Sequence, residues 1–354
     1  MYGLAAVVMT VYGQPLAAGG GTTETMGYFN GVNYPGLFGW ATLLVKIFGL
    51  ALAVASSLCI GKEGVLAHIG SIVSHMVIYI PLKMFETFRN NTDKRELAIA
   101  GTAAGVAAAF GSPIGGTLFA YEVASPCTGW TFLLTWKSFI SSCLAVFIIN
   151  ILDALKEGTP VNFTSAAIIK FGAYSPIPYN ARDFFSFAVI GCLMGLLGSF
   201  FCTVNYFLTK TRKKLLTTRP RKVIETMILV IFTASLLFFL PKFIPYHCVK
   251  IDEEGSEVEE LLKDNYVRYE CPEGYYSPLA TILFNPLSTC FKLLMNPAPI
   301  FSIQGLVAYV TVWYVMAILT YGTNIPAGLF VSGILIGCAF GRLYGLFTTY
   351  YLFS

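Results

Sequence analysis

Apolar residues fill this chain in long blocks with few polar interruptions. The blocks fall at about 38–60, 65–82, 97–123, 130–152, 184–208, 223–245, 277–295, 300–320 and 326–352. Several run unbroken for about 20 residues, the length at which an α-helix crosses the hydrocarbon of a bilayer. Others are interrupted: 97–123 by Gly111-Ser-Pro-Ile-Gly-Gly116, and 326–352 by its opening Pro326-Ala-Gly. Non-helical backbone survives at membrane depth only where protein buries it or where it lines a cavity. Interrupted spans are the usual pointer to an ion site. The pattern predicts an all-α polytopic membrane protein with broken, re-entrant helices. Glycines at four-residue spacing, Gly101/Gly105, Gly111/Gly115, Gly191/Gly195 and Gly337/Gly341/Gly345, are expected to let helices approach closely.

Composition agrees. Of 354 residues, 56% are hydrophobic and 12% charged. A soluble domain is about a quarter charged, so this chain lacks the polar surface to stay in water. The N-terminus, Met1-Tyr-Gly-Leu-Ala-Ala, has no basic region of the kind that opens a cleavable signal. A net charge of +4 is too small to argue for nucleic acid. There is no H-E-x-x-H, G-x-S-x-G or Walker pattern, so an enzyme is not expected. His68 and His75 share one helical face and read as packing residues rather than a metal pair. Cys59, Cys127, Cys143, Cys192, Cys202, Cys290 and Cys338 lie in or beside apolar runs and read as small buried hydrophobes.

The loops set an orientation. Lys210 to Lys222 carries seven basic residues and no acid, which makes it cytoplasmic by the positive-inside rule. Residues 241–276 carry nine acids against Lys242, Lys250, Lys263 and Arg268 and lie one span further on, on the outer side. Cys248 and Cys271 sit in that acidic loop, where an oxidising compartment favours a disulfide between them. Residues 153–183 fall on the same outer side, so Asn162-Phe-Thr164 is expected to be glycosylated. Asn90-Asn-Thr92 is expected to face the cytosol and stay bare.

The stretch Ile60-Gly-Lys-Glu-Gly-Val65 places a lysine and a glutamate between glycines inside an otherwise apolar sequence. A charge near the bilayer centre costs at least about 2.5–3.5 kcal/mol. Gly61 and Gly64 permit non-helical backbone, and a helix starts at or just after Glu63. A helix N-terminus offers unpaired N–H groups and about half a positive charge, a ready anion site. Glu63 either caps its own helix beside Lys62 or competes there with a permeant anion. Glycine-rich breaks before helix starts recur at Gly19-Gly-Gly-Thr-Thr23, at 111–116 and at Asn324-Ile-Pro-Ala-Gly-Leu-Phe330. Several such N-termini aimed at one point would form a cage of N–H donors.

Together these residues resemble the CLC family of chloride channels and chloride/proton exchangers. "GKEGV" (61–65) is similar to the family's G-K/R-E-G-P gating motif, and "FGSPIGGTLFAYE" (110–122) to its F-x-A/S-P-x-G-G-x-L-F-x-x-E segment. "IPAGLFVSGILIGCAFGRL" (325–343) resembles its G-x-F-x-P helix start, and "AAGGGTTETMGYFNGV" (17–32), more loosely, its G-S-G-I-P region. "TDKRELAIAGTAAGVAAAFGSP" and "CPEGYYSPLATILFN" are most like the endosomal, lysosomal and plant vacuolar branch. The resemblance implies an inverted-repeat helical fold, one transmembrane domain over 1–354 with repeats at about 1–152 and 184–354, and a homodimer in an endomembrane bilayer. It implies chloride or a similar anion as the transported ligand and no cofactor. Glu63 falls on the gating glutamate and the N–H groups of Leu329 and Phe330 on the central anion site, with Gly328, Gly61, Lys62 and Gly64 beside them. Gly20 falls where a chloride-contacting serine is usual.

The departures carry information too. Gly20 offers no hydroxyl, and the proline of its motif is Thr23, which bears on chloride-over-nitrate preference. Val65 and Ser332 stand where proline is usual, so both helix starts are less rigidly set. Exchangers usually read Glu-Glu where this chain reads Glu122-Val123, and Val123 cannot carry a proton. Set against the family, the chain begins just before the first signature and stops soon after Arg342. The resemblance therefore implies missing opening and closing helices and no regulatory nucleotide-binding domains. A gated anion channel with Glu63 as gate is the leading expectation, with an anion/proton exchanger and an inactive or subunit chain as alternatives.

Overall fold

The computed structural model describes residues 1–81, 83–124, 130–158, 181, 183–244, 248–251, 263–296 and 301–352. The chain is helical with one two-stranded ribbon among the described residues. Five helices are long and apolar enough to cross a membrane, within Phe132–Lys156, Asp183–Leu215, Arg219–Phe243, Ile303–Thr320 and Phe330–Thr349. It is a multi-pass membrane protein. The residues divide into two compact units, one of Met1–Ile169, Thr217–Met227 and Thr323–Phe330, the other of Lys170–Leu216, Ile228–Gly322 and Val331–Ser354.

The first unit opens with α1 (Tyr2–Val8), a π-turn and a 3-10 turn, then α2 (Thr22–Phe29), α3 (Trp40–Ala55) and α4 (Glu63–Val77). After a short α5 (Lys83–Glu86) come α6 (Asn91–Phe110), α7 (Pro113–Ala124) and α8 (Phe132–Glu157). Capping explains the boundaries. Asn90 accepts from the Asp93 N–H at 2.7 Å to start α6, and Gly111 ends it with φ +67°. Ser112 then accepts from the Gly115 N–H at 3.1 Å, and Pro113 opens α7. The expected interruption at 111–116 is thus a helix stop followed at once by a helix start.

α4 and α6 lie along each other at backbone contact. A methyl group at Gly70 would sit 2.2 Å from the Gly101 carbonyl oxygen, and one at Gly105 would sit 2.2 Å from that of Leu66. Only glycine allows this approach. The Gly101/Gly105 expectation therefore holds. At Gly191, Gly195, Gly341 and Gly345 nothing described lies within 4 Å of the added carbon. Those faces are open, because spacing signals permission for close packing and not the presence of a partner.

In the second unit the order is α9 (Asp183–Leu215), α10 (Arg219–Phe243, whose first turns belong to the first unit), β1 (Val249–Lys250), β2 (Tyr275–Tyr276), α11 (Pro278–Phe284), α12 (Leu287–Met295), α13 (Ile303–Thr320) and α14 (Phe330–Leu352). The apolar block at 277–295 is two helices, split at Asn285-Pro286, where the Asn285 amide donates to the Thr281 and Asn265 carbonyls. α9 caps the end of α13: Asn205 donates to the Ile318 and Tyr321 carbonyls and Arg212 to those of Leu319 and Tyr321. These are carbonyls the helix leaves unpaired. Cys248 and Cys271 are bonded, with Cα atoms 5.8 Å apart, beside the antiparallel β1–β2 pair. Of the other cysteines, Cys59 and Cys290 are buried and Cys143 and Cys338 half-buried, but Cys192 and Cys202 lie on open faces of α9. An apolar setting in sequence is lipid-facing as readily as core-facing. Cys127 and Asn162 lie outside the described residues.

Candidate functional site

Two of the glycine-rich breaks are built alike and are tied together. The Gly61 N–H donates to the Gly328 carbonyl at 2.6 Å, and the Gly328 N–H donates to the Gly61 carbonyl at 2.9 Å. In each break the bridging glycine is followed by one bent residue, Lys62 or Leu329, and then by the first residue of a helix, Glu63 or Phe330. A side chain at Gly328 would meet the Gly61 oxygen at 3.0 Å and the Gly64 nitrogen at 3.3 Å. Gly61 and Gly328 thus give their own N–H groups to each other. Their part at the site is to hold two helix starts side by side.

A third break joins them. The Gly19 N–H donates to the Ile325 carbonyl at 2.8 Å. A carbon added at Gly64 would lie 3.9 Å from the Gly20 and Gly328 Cα atoms and 3.8 Å from Thr22. Gly20, Gly64 and Gly328 therefore form one glycine-lined junction, with the start of α2 alongside. The fourth break, at 111–116, is placed differently at its glycines. Gly116 packs on the Ala103 carbonyl of α6, and Phe110 reaches over to the junction, its ring 5.3 Å from that of Phe330.

Glu63 opens α4 in this junction. It is 4% exposed, and its Oε2 is buried with no hydrogen-bond partner. The peptide N–H groups of Glu63 and Lys62 and the Lys62 ammonium act on the carboxylate. Lys62 itself is exposed, makes no side-chain cap, and is joined to Glu63 by no ion pair among the described residues. The first bond of the α4 ladder runs from the Leu66 N–H to the Lys62 carbonyl at 2.9 Å, leaving the N–H groups of Glu63, Gly64 and Val65 outside it. Leu329 is half-buried and Phe330 half-exposed at the other start. An anion seated here would meet peptide donors from adjoining helix N-termini and share them with the carboxylate.

Behind the junction lies a buried lysine paired with a histidine. Lys46 of α3 and His68 of α4 are both fully buried, and Nζ lies 2.6 Å from Nδ1. They pack on the Cα of Gly21, the residue after Gly20. The signal was present: a lone lysine inside the apolar run Trp40–Ala55 is by itself a functional pointer. His68 and His75 do share a packed face, their rings against Phe38 and that of His75 against Tyr28 as well. Glu122 is exposed at the end of α7, while Val123 packs on the apolar cluster of Tyr28, Phe29, Ile99 and Ala120.

Broken apolar helices thus meet at glycines around a buried carboxylate, in a chain with five helices long and apolar enough to cross a membrane. The chain belongs to the voltage-gated chloride channel family, which it matches over residues 2–354. It is 32% identical over 353 residues to the H(+)/Cl(-) exchange transporter 7 of Mus musculus, covering 97% of this chain and 43% of that protein. It is 34% identical over 353 residues to chloride channel protein CLC-d of Arabidopsis thaliana, covering 94% of this chain and 44% of that one. The chain thus spans less than half the length of these curated relatives. A crystal structure of a eukaryotic CLC transporter superposes with a TM-score of 0.67 at 19% identity, over 99% of this chain and 51% of that one. A slow cyanobacterial Cl-/H+ antiporter gives 0.66 at 17% identity, over 100% and 69%. The last two bear on the fold alone.

Proposed function

We propose that this chain moves chloride or a similar small anion across a membrane in exchange for protons, with Glu63 as the group for which both compete. The observation that carries the reading is the buried, unpartnered Oε2 of Glu63 at a junction of helix starts. Ionised, the carboxylate occupies the donors an anion would use. Protonated, it loses its charge and leaves them to the anion. One group then couples the two ions without any cofactor. Relatives named as H(+)/Cl(-) exchange transporters favour exchange. The homodimeric assembly and endomembrane setting implied by the resemblance belong to the same proposal.

Val123 favours a second reading, a gated anion channel, because an apolar side chain on an apolar cluster hands no proton to Glu63. Reversal potentials across a pH gradient separate the two. In an exchanger the potential moves with the proton gradient at fixed chloride. In a channel it stays at the chloride equilibrium value.

A further inference from the structure

The connection between α9 and α10 is short, basic and open. α9 ends at Leu215 and α10 begins at Arg219, so three residues, 216–218, make the whole link. Seven basic residues and no acid stand between Lys210 and Lys222. Two threonines, Thr217 and Thr218, lie at the centre of that charge, both exposed and both outside the flanking helices. Thr218 is tied to α10, since its carbonyl accepts the Lys222 N–H at 3.4 Å. Thr217 stands one residue further out. The last turn of α9 suits its cations, which face the negative end of the helix. The first turn of α10 does not, because it carries Arg219 and Arg221 at the positive end with no acid to offset them. Topology asks for cations in a cytoplasmic turn. It does not ask for exposed hydroxyls set between them.

We propose that Thr217 is a phosphorylation site for a protein kinase that selects basic sequences, and that the phosphate acts on the end of α13 through Arg212. Lys213 and Lys214 precede Thr217 by four and three residues, and Arg219 follows it by two. Cations on both sides of a hydroxyl are what an acidic substrate cleft selects by charge. The positive-inside rule puts this turn on the cytoplasmic side, where ATP is. In the step, Thr217 Oγ1 attacks the γ-phosphorus of ATP. The bond from that phosphorus to the β–γ bridging oxygen breaks and ADP leaves. The hydroxyl proton passes to the kinase's carboxylate base. The product carries a charge of about −1.5 to −2 at neutral pH, set among cations that have no acid beside them.

Arg212 gives this charge something to act on. Its guanidinium donates to the Tyr321 carbonyl at 2.7 Å and to that of Leu319, at the end of α13. The Leu216 N–H donates to the Arg212 carbonyl at 2.8 Å, so the link to Thr217 starts against the turn that holds the arginine. Bonds from a guanidinium to an ionised phosphate are about twice as strong as those between neutral groups. A phosphate five residues from Arg212 therefore competes with the two carbonyls for it. The chain beyond α13 bends at Gly322, at φ +85°, where an added methyl group would lie 3.3 Å from Arg212 Nη1. It then reaches Ile325, whose carbonyl accepts the Gly19 N–H, and Gly328 of the junction. Loosening the end of α13 loosens the segment that leads into the junction, and anion flux falls. This last step rests on the transport reading above.

The test uses the full chain in detergent, incubated with ATP and a purified serine/threonine kinase of basic specificity, followed by a phosphopeptide mass map. The proposal expects phosphate on Thr217, lost in Thr217→Val and kept in Thr218→Val. No phosphate, phosphate on Thr218 alone, or phosphate that enters only after denaturation overturns it. Hydrogen exchange reads the link to Arg212. Amides of residues 319–325 are expected to exchange at least about tenfold faster once Thr217 is phosphorylated. Arg212→Gln should show the same rise without kinase and no further rise with it. Unchanged exchange in the phosphorylated wild type overturns the link. Chloride efflux from liposomes should then fall severalfold on phosphorylation in wild type and not in Thr217→Val, and an equal flux overturns the effect on transport. A wild type that moves no chloride defeats the transport reading, and the site is then judged on the mass map and the exchange.

Discussion

A methyl group at Gly21 would lie 2.0 Å from His68 Nδ1 and 2.5 Å from Lys46 Nζ, at a backbone φ of +79°. Left-handed backbone costs a non-glycine residue roughly 1–2 kcal/mol, and the buried pair would also have to move. Gly21→Ala is expected to lower the thermal midpoint of the purified protein by several degrees, read in detergent against wild type. Gly20→Ser has room: its Cβ would meet the Ala327 oxygen at 3.7 Å and Thr22 Oγ1 at 3.8 Å. It should keep the midpoint and raise chloride flux relative to nitrate, by adding a hydroxyl donor at the junction. An unchanged chloride-to-nitrate ratio would remove Gly20 from the anion's surroundings. Glu63 was legible in the sequence because a carboxylate between glycines in an apolar run breaks the local pattern. Lys46 and His68 were not read as a pair, because they lie 22 residues apart and no periodicity links α3 to α4.

Helix positions followed the apolar blocks closely, since long spans obey composition more than context. What the blocks hid were the stops. α11 and α12 share one block and part at Asn285, where a side-chain amide competes for carbonyls. α1 and its π-turn lay outside every block yet form a helix at the N-terminal end of the first unit. Glycine spacing was informative only where a partner supplied the second surface. Gly70, Gly101 and Gly105 meet backbone across α4 and α6, and Gly116 does so across α6 and α7. Gly105→Leu is accordingly expected to abolish a monodisperse folded peak in size-exclusion chromatography. Gly195→Leu, with nothing described within 4 Å, should leave that peak in place. Equal behaviour of the two variants would mean that the α4–α6 approach does not hold the first unit together.

At the scale of the molecule, loop charge sets the expected orientation, which hydropathy leaves open. The basic turn between α9 and α10 and the acidic segment that carries the Cys248–Cys271 bond lie at opposite ends of α10. The orientation has a direct check in glycan mass. Removing Asn162 should abolish any shift, while removing Asn90, whose side chain caps α6, should not. A shift lost with Asn90 instead would invert the topology. The junction of Gly20, Gly61, Gly64 and Gly328 draws on residues up to 308 positions apart, and spacing alone could not have shown that three breaks meet while Gly116 of the fourth packs on α6. The central claim is that Glu63 is the gate shared by anion and proton. Its most direct measurement is simultaneous chloride efflux and proton uptake from liposomes over a range of pH, for wild type and Glu63→Gln. The account predicts coupled fluxes in wild type, and in the variant a chloride flux at least as large, independent of pH and free of proton uptake. A variant that keeps wild-type rate, pH profile and proton uptake would show that Glu63 does no more than begin a helix.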